Sequence, residues 1–132
     1  PSPSLRRGAI VAEICRIGDF VELENSVVGK NTKISHLAYV GDAEIGENCN
    51  IGCGVVFCNY DGEKKSRTRV ENGCFIGSNA NLVAPLTVGE GSYVAAGTTV
   101  TENVPARSFV IGRARQELNE KLAAKYVGRN ER

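Results

Sequence analysis

A repeat of six residues runs through most of this chain, and a fixed period of this kind constrains a fold more strongly than local propensity does. Each repeat opens with an aliphatic residue, which Gly usually follows, and carries a small residue at its fifth position. The segments 17–22, 28–33 and 45–50 fit the pattern, and from Val70 to Val100 the repeats continue without a break. Apolar residues would recur roughly every three to four positions in an amphipathic helix and about every two in a half-buried strand. Period six instead predicts short strands and turns, three of which close one triangular coil.

The repeat therefore predicts an all-β fold, a parallel β-helix in which the aliphatic residues point inward and the small residues fit the corners. Stacked coils should lie about 4.8 Å apart, as neighbouring strands do. Composition agrees, because hydrophobic residues make up 42% of the chain and aromatic residues only 6%, and a narrow prism has little room for rings. We expect one domain, with the β-helix over residues 1–112 and a C-terminal tail over 113–132.

The start of the chain predicts further coils upstream. Residues 8–15 are already apolar although the first clear repeat opens only at Ile17, and the chain begins at Pro1 and contains no Met. An exposed terminal coil would be an unpaired sheet edge. We therefore expect a β-helix that is truncated at its N-terminus.

Net charge, hydropathy and cysteine content narrow the functional classes. The net charge is +1, and there is no basic run with interleaved aromatic residues, so we expect no nucleic-acid partner. No apolar run approaches the roughly 20 residues of a membrane span, and no signal peptide is recognisable. The five cysteines are expected to be reduced thiols of a cytoplasmic protein. Cys49, Cys53 and Cys58 are close in sequence, but zinc-type CxxC spacing is missing, so we expect no metal site.

Two segments interrupt the repeat. Residues 57–69 contain an Asp-Gly pair that marks a turn and several basic residues after it. A polar loop on a rigid scaffold is where binding residues tend to lie, and a solvated insertion is the alternative. Near the C-terminus, residues 116–126 carry Leu118, Leu122 and Tyr126 on one stripe, which predicts a short amphipathic helix. Such a helix would cap the last coil or pack on a neighbouring subunit.

The chain has a single histidine, His36, and it lies inside the repeats. Repeats that open at positions 17, 34 and 51 are one coil apart, so Asp19, His36 and Cys53 should stack, with His36 facing outward. By the same count Lys33 lies beneath Asn50. An outward imidazole beside an acid can be held in one tautomer and raised in basicity, and a solvated surface histidine is the alternative.

Several longer motifs resemble those of one enzyme domain. They are SHLAYVGDAEIG (35–46), NIGCG (50–54), CNYDG (58–62), IGSN (76–79), LVAP (82–85) and VAAGTTVTENVP (94–105). Together they are similar to the acetyltransferase domain of the bacterial bifunctional N-acetylglucosamine-1-phosphate uridyltransferase and glucosamine-1-phosphate N-acetyltransferase. The resemblance runs from about Arg6 to Arg113. It implies the left-handed form of the β-helix and an acetyl-CoA-dependent N-acetyltransferase in UDP-N-acetylglucosamine synthesis for the cell wall.

The resemblance also implies roles for individual residues. His36 matches the general base, which takes a proton from the amine of glucosamine 1-phosphate while that amine attacks the thioester of acetyl-CoA. Direct transfer of this kind needs no covalent intermediate. The positions that match acceptor ligands are Arg6, Tyr39, Asn50 and Lys65, of which Lys65 adds charge near the acceptor phosphate or the CoA. The positions that match acetyl-CoA contacts are Cys53, Asn59, Tyr60, Ser78, Ala96 and Arg113.

The resemblance also implies how the chain assembles and which acceptor it uses. The family's site lies between the subunits of a homotrimer, and a narrow stack of coils has no cleft of its own. One position departs from the family, because Glu24 stands where a lysine usually helps to bind the acceptor phosphate. A carboxylate there would repel a phosphate dianion. Either Lys64, Lys65 or Arg67 supplies the missing charge, or the acceptor is a different amino sugar or sugar nucleotide. A non-catalytic trimerisation module of a nucleotidyltransferase is the third alternative.

Overall fold

Short strands joined by tight turns make up the computed structural model of this protein, which describes residues 3–128. In chain order the strands are β1 (Ser4–Leu5), β2 (Ile10–Val11), β3 (Arg16–Ile17), β4 (Glu22–Glu24), β5 (Val27–Val28), β6 (Lys33–Ile34), β7 (Tyr39–Gly41), β8 (Ala43–Ile45), β9 (Asn50–Ile51), β10 (Val56–Cys58), β11 (Thr68–Val70), β12 (Phe75–Ile76), β13 (Asn81–Val83), β14 (Leu86–Val88), β15 (Tyr93–Val94), β16 (Thr99–Val100) and β17 (Phe109–Val110).

The strands form three sheets, which are the faces of the predicted prism. The first sheet has the order β1-β4-β7-β10-β13-β16, the second β14-β11-β8-β5-β2, and the third β17-β15-β12-β9-β6-β3. Consecutive strands of the chain thus pass from face to face, and a strand pairs in parallel with the strand one coil away. This arrangement confirms the all-β prediction of a left-handed parallel β-helix of hexapeptide repeats.

The residues that open the repeats fill the core. Ile34, Ile51 and Ile76 stack in register along the third sheet and are at most 1% exposed. The corners hold small residues whose side chains donate hydrogen bonds to backbone carbonyls, as Thr32 does to Gly46 at 2.7 Å. The buried Cys49 and Cys74 occupy the same kind of position, and their thiols donate to the carbonyls of Glu71 and Gly89 at 3.1 Å each.

The protruding loop is shorter than the sequence predicts. It spans residues 59–67, because β10 ends at Cys58 and β11 begins at Thr68. Phe57, at the start of the predicted interruption, is fully buried in the core. The ends of the interrupted segment therefore belong to the coil, and only its middle leaves the prism.

The N-terminal end agrees with a β-helix that begins before Ile17, whereas the C-terminal segment differs from the prediction. The coil that precedes Ile17 is already formed, since β1 and β2 pair in parallel with β4 and β5. At the C-terminus the predicted helix over 116–126 is present only as a 3₁₀ helix at Leu122–Lys125, and no residue of it is buried. None of the helices within residues 3–128 has the length and apolar character that crossing a membrane requires.

Candidate active site

Five of the predicted site residues follow one corner of the prism, where the third sheet turns into the first. We call His36, Cys53, Ser78, Ala96 and Arg113 the corner column. The carbonyls of its first four members accept hydrogen bonds from Gly54, Asn79, Gly97 and the Arg113 guanidinium, respectively. The last of these bonds, from Arg113 to Ala96, measures 2.7 Å. With coils about 4.8 Å apart, the corner column extends over roughly 19 Å.

The His36 ring is exposed at the lower end of the corner column. Its Nδ1 accepts a hydrogen bond from the backbone N–H of Asp19 at 3.2 Å. Gly18 makes this approach possible, because a Cβ at that position would lie 2.9 Å from Nδ1. A neutral imidazole has one donor and one acceptor nitrogen, so Nε2 carries the proton in this arrangement. The predicted stacking on Asp19 is confirmed, but the amide of Asp19 contacts the ring.

A second group of predicted residues lies on the first sheet around Tyr39. The Tyr39 hydroxyl donates to Glu24 Oε1 at 3.3 Å and accepts from Asn59 Nδ2 at 3.3 Å. Gly41 leaves room for this contact, since a Cβ there would fall on the Tyr39 hydroxyl and the Asn59 amide nitrogen. Burial raises the pKa of Tyr39, and the Glu24 carboxylate adds to the rise against the opposing hydrogen bond from Asn59.

Arg6 lies beside this group and contacts two carboxylates. Its guanidinium is 3.2 Å from Glu22 Oε2 and 3.8 Å from Glu24 Oε2. All three side chains are partly solvent-exposed, so the ion pairs contribute little to stability. They do offset the positive charge of the Arg6 guanidinium, which the family resemblance assigns to binding of an acceptor phosphate.

The other predicted residues are not brought to His36 within one chain. Tyr60 and Lys65 form an antiparallel bridge in the protruding loop, which leaves the prism where the first sheet turns into the second. The first sheet, about three residues or roughly 10 Å wide, separates that corner from His36. Asn50 faces outward on the third sheet, in register with Lys33 as predicted.

Asp42 is a buried polar residue that the sequence reasoning did not assign. Only 7% of it is exposed, and it accepts hydrogen bonds from Asn25 Nδ2 at 2.7 Å and from Asn59 Nδ2 at 2.8 Å. Burial opposes its ionisation, but these two bonds, with Lys65 and Arg67 nearby, outweigh burial and lower the pKa of Asp42. The signal was present in the sequence, because Asn25, Asp42 and Asn59 are each 17 residues apart, which is one coil.

Two grooves of the single chain lie away from His36, and a third, of about 530 Å³, is lined by Arg113 and its neighbours at the upper end of the corner column. Of the first two, one, of about 390 Å³, is lined by Glu44, Arg69 and Glu71 on the second sheet, and the other, of about 470 Å³, lies along residues 99–112. His36 lines none of the three, and it projects from a convex corner. Within residues 3–128, no cluster of three or more His, Cys, Asp or Glu side chains is arranged to hold a metal ion.

Comparison with known proteins relates the repeats to one family. The family model described as bacterial transferase hexapeptide (six repeats) matches residues 25–59 and 67–102. A bifunctional protein GlmU from Caldicellulosiruptor saccharolyticus is 57% identical over 120 residues, which are 91% of this chain and 26% of that protein. The GlmU of Thermotoga petrophila is 51% identical over 91% of this chain and 27% of its own length. The chain thus spans about a quarter of the curated relatives that it matches.

Solved structures of low sequence identity share the fold. A mutant GDP-perosamine N-acetyltransferase from Caulobacter crescentus, in complex with CoA and GDP-perosamine, superposes with a TM-score of 0.63 at 22% identity, over 83% of this chain and 54% of that one. A hexapeptide-repeat acetyltransferase from Vibrio cholerae, in complex with acetyl coenzyme A, gives a TM-score of 0.64 at 19% identity, over 80% and 66% of the two chains.

Proposed function

Since this chain belongs to the bacterial hexapeptide transferases, we propose that it is an N-acetyltransferase that transfers the acetyl group of acetyl-CoA to glucosamine 1-phosphate. The observation that carries the proposal is the corner column, in which residues matching a base and a CoA groove occupy consecutive coils. The relatives named GlmU support the same acceptor, because their similarity extends over 91% of this chain.

In this proposal His36 is the general base. The amine nitrogen of the acceptor attacks the thioester carbonyl carbon, His36 takes the amine proton, and the C–S bond breaks to release CoA as the thiol. The lone pair on Nδ1 now accepts the Asp19 N–H, so the ring must give up that contact when it takes the proton. A positioned base contributes about 10²–10⁴-fold to such a rate.

Substrate contacts follow the column and the sheet beside it. The pantetheine arm of CoA is long and thin, which suits a track that extends over roughly 19 Å. Arg113, at the far end, is always charged and suits a CoA phosphate. Tyr39, Asn50, Arg6 and Lys65 are the proposed acceptor ligands. Tyr60 and Lys65 are separated from the same chain's His36, so we propose a homotrimer in which a neighbouring subunit's loop completes the site.

The test is release of free CoA thiol from acetyl-CoA by the purified protein with glucosamine 1-phosphate. We expect His36→Ala to lower kcat by about a hundredfold or more, in line with a lost general base, while acetyl-CoA still binds. Thr87→Ala, on the second sheet, is the control and should leave kcat unchanged. An unaltered rate in His36→Ala would remove the base assignment. A wild-type protein that released no thiol with any amino sugar would favour the non-catalytic trimerisation module.

The contacts of Glu24 favour a second candidate, an N-acetyltransferase for another amino sugar or sugar nucleotide. Glu24 accepts from Tyr39 and lies 3.8 Å from the Arg6 guanidinium, which Glu22 also contacts. Two carboxylates thus face one guanidinium where the first candidate requires a phosphate dianion to bind. Like charges this close repel one another.

Glu24→Lys separates the two candidates. If the acceptor is phosphorylated, this substitution should lower its KM by about tenfold, because an attraction replaces a repulsion. Glu44→Lys makes the same change of charge on an exposed position of the second sheet and should leave the KM unchanged. An equal or higher KM in Glu24→Lys, together with faster turnover of an amino sugar that lacks the phosphate, would select the second candidate.

A further inference from the structure

We propose that Asp42 is a positioning residue that joins the two substrate sides of the site, because its carboxylate holds Asn59 against Tyr39. The inference rests on the proposed function, in which Tyr39 contacts the acceptor and Asn59 contacts acetyl-CoA. Asp42 itself touches neither substrate. It acts through the Asn59 side chain and through the base of the protruding loop.

The hydrogen-bond geometry leaves Asn59 little freedom. Its Nδ2 donates to Asp42 Oδ2 at 2.8 Å and to the Tyr39 hydroxyl at 3.3 Å, so one amide group connects the carboxylate and the phenol. The second carboxylate oxygen of Asp42 accepts from Asn25 at 2.7 Å, which orients the carboxylate from the coil below. Asn59 is itself buried, with 9% of its surface exposed. A buried amide that lost its acceptor would have to turn away from Tyr39 or leave a polar group unpaired.

The same contacts fix the base of the loop. The Asn59 carbonyl accepts the Ser66 N–H at 2.8 Å, and the Asp42 carbonyl accepts the Thr68 N–H at 3.2 Å. Both ends of the loop are thus hydrogen-bonded to Asp42. Asn59, at the start of the loop, bonds to the Asp42 carboxylate, and Thr68, just after its end, bonds to the Asp42 carbonyl. Lys65 and Arg67 lie near enough to favour the ionised carboxylate. The charged form is therefore the one that holds the loop.

A second corner of the prism provides an internal comparison. Where the second sheet turns into the third, Asn31 Nδ2 donates to Asn48 Oδ1 at 2.7 Å. Asn48 and Asp42 both have a positive φ, of 57° and 50°, so both corners have the same backbone form. At this corner, which carries no loop, the amide side chain of Asn48 is sufficient to accept the single hydrogen bond from the coil below. At the loop corner, Asp42 receives hydrogen bonds from two side-chain amides, those of Asn25 and Asn59. A carboxylate can accept both bonds, whereas an Asn at this position would turn its own NH₂ group toward one of the two donors.

The test is the isosteric substitution Asp42→Asn, measured in steady-state assays. We expect the KM values for acetyl-CoA and for the acceptor each to rise about tenfold, while kcat changes less than about threefold because the His36 corner is untouched. Asn48→Asp is the reverse substitution at the other corner. It keeps an oxygen that accepts the hydrogen bond from Asn31, so it should change neither KM.

A double-mutant cycle distinguishes positioning from general destabilisation. In an Asn59→Ala background Asp42 has lost the group through which it acts, so adding Asp42→Asn should raise the KM values no further. Additive KM effects of the two substitutions would overturn the proposal, and so would unchanged KM values in Asp42→Asn alone. Should Asp42→Asn not fold, Asn25→Ala removes the other hydrogen bond to the Asp42 carboxylate, at a residue outside the proposed substrate contacts, and must raise both KM values.

Backbone amide hydrogen exchange, measured without substrate, tests the role of Asp42 in the loop independently of the proposed acetyl transfer. Asp42→Asn should speed exchange of the Ser66 amide, which the Asn59 carbonyl holds, and leave the Gly54 amide at the His36 corner unchanged. A wild-type protein without acetyl transfer would overturn the proposed function and the catalytic part of this inference, while the Ser66 result would still decide whether Asp42 holds the loop. Unchanged Ser66 exchange would refute that role.

Discussion

At the scale of single residues, the surroundings of His36 determine what the imidazole can do. The Asp19 amide donates to Nδ1 at 3.2 Å, and an imidazolium ring, which donates at both nitrogens, has no lone pair to accept that bond. Protonation of His36 and the Asp19 contact are therefore mutually exclusive. Proton transfer to the ring must be accompanied by a local movement, either of the ring or of the turn that carries Asp19.

This exclusion can be measured because His36 is the single histidine of the chain. In ¹⁵N spectra of the free protein with a neutral imidazole, we expect the shifts of the Nε2–H tautomer. The Asp19 amide resonance should move as acid protonates the ring. Gly18→Ala is the matched variant, because its methyl group would lie 2.9 Å from Nδ1 and should displace the ring from Asp19. An Nδ1–H tautomer in the wild-type protein would contradict the hydrogen bond.

Sequence counting predicted part of this residue-scale picture. A spacing of 17 residues placed His36 over Asp19, and the structure agrees. Which atoms of Asp19 meet the ring depends on the dihedral angles of the turn, and these leave no periodic trace in the sequence. The same spacing linked Asn25, Asp42 and Asn59, but a chain of amide and carboxylate contacts carries no familiar motif.

At the scale of elements, the protruding loop is a small hairpin with its own hydrogen bonds. Asp61 Oδ1 accepts the N–H groups of Glu63 and Lys64 at 2.8 Å each, and the Tyr60 hydroxyl donates to the Gly62 carbonyl at 2.8 Å. Gly62 has φ of +100°, which residues with a Cβ rarely adopt. The loop is therefore held in one shape by local contacts, and its tip is free to meet a partner.

Asp61→Ala should release that shape without affecting the β-helix. Because Asp61 is exposed and contacts only the loop, we expect an unchanged melting temperature and a KM for acetyl-CoA that rises about three- to tenfold. Asn119→Ala removes the same kind of turn, in which Oδ1 accepts two backbone N–H groups at 2.9 Å, from the C-terminal segment. It is the control and should not change the KM. A lower melting temperature in Asp61→Ala would show that the loop supports the prism.

The C-terminal segment shows what a sequence pattern at this scale can miss. Leu118, Leu122 and Tyr126 have helical spacing, yet they are 74%, 47% and 64% exposed and only one 3₁₀ helix forms. Short helices gain most of their stability from packing an apolar face against another surface. All three side chains remain largely exposed, so the periodicity alone was not sufficient for the predicted helix.

At the scale of the whole molecule, exposed rings mark a surface that a monomer would not be expected to show. Phe75, Tyr93 and Phe109 stack along the third sheet with centroids 4.7 and 5.4 Å apart, and they are between 39% and 66% exposed. Contiguous apolar patches on a soluble chain usually mark contacts with another protein. The patch agrees with the proposed homotrimer, in which His36 and the loop of one site come from different subunits.

Mixing a variant that lacks the proposed base with a variant that lacks a proposed loop contact tests this sharing of residues between subunits. His36→Ala keeps the loop and Tyr60→Ala keeps the base, so unfolding and refolding them together should restore activity at about one quarter of the sites of randomly mixed trimers. His36→Ala mixed with His36→Asn should recover nothing. Absence of recovery in the first mixture, with mixed trimers present, would mean that each chain builds its own site.

The fold was predictable at this scale and the complete site was not. Each coil contacts chiefly the coils beside it, so a repeat in the sequence translates directly into a stack in space. A site shared by subunits depends on how copies of the chain meet, and no spacing within one copy records that distance.

The corner column has one more consequence, because the coil spacing fixes the distance between its residues. Positions along it change only in steps of one coil, about 4.8 Å, and the hydrogen bonds that its carbonyls accept from the next coil lock each step. Such a protein can accommodate a longer or shorter ligand by gaining or losing whole coils between His36 and Arg113. An insertion of any other length would rotate every later residue onto a different face of the prism, unless it bulged out as residues 59–67 do.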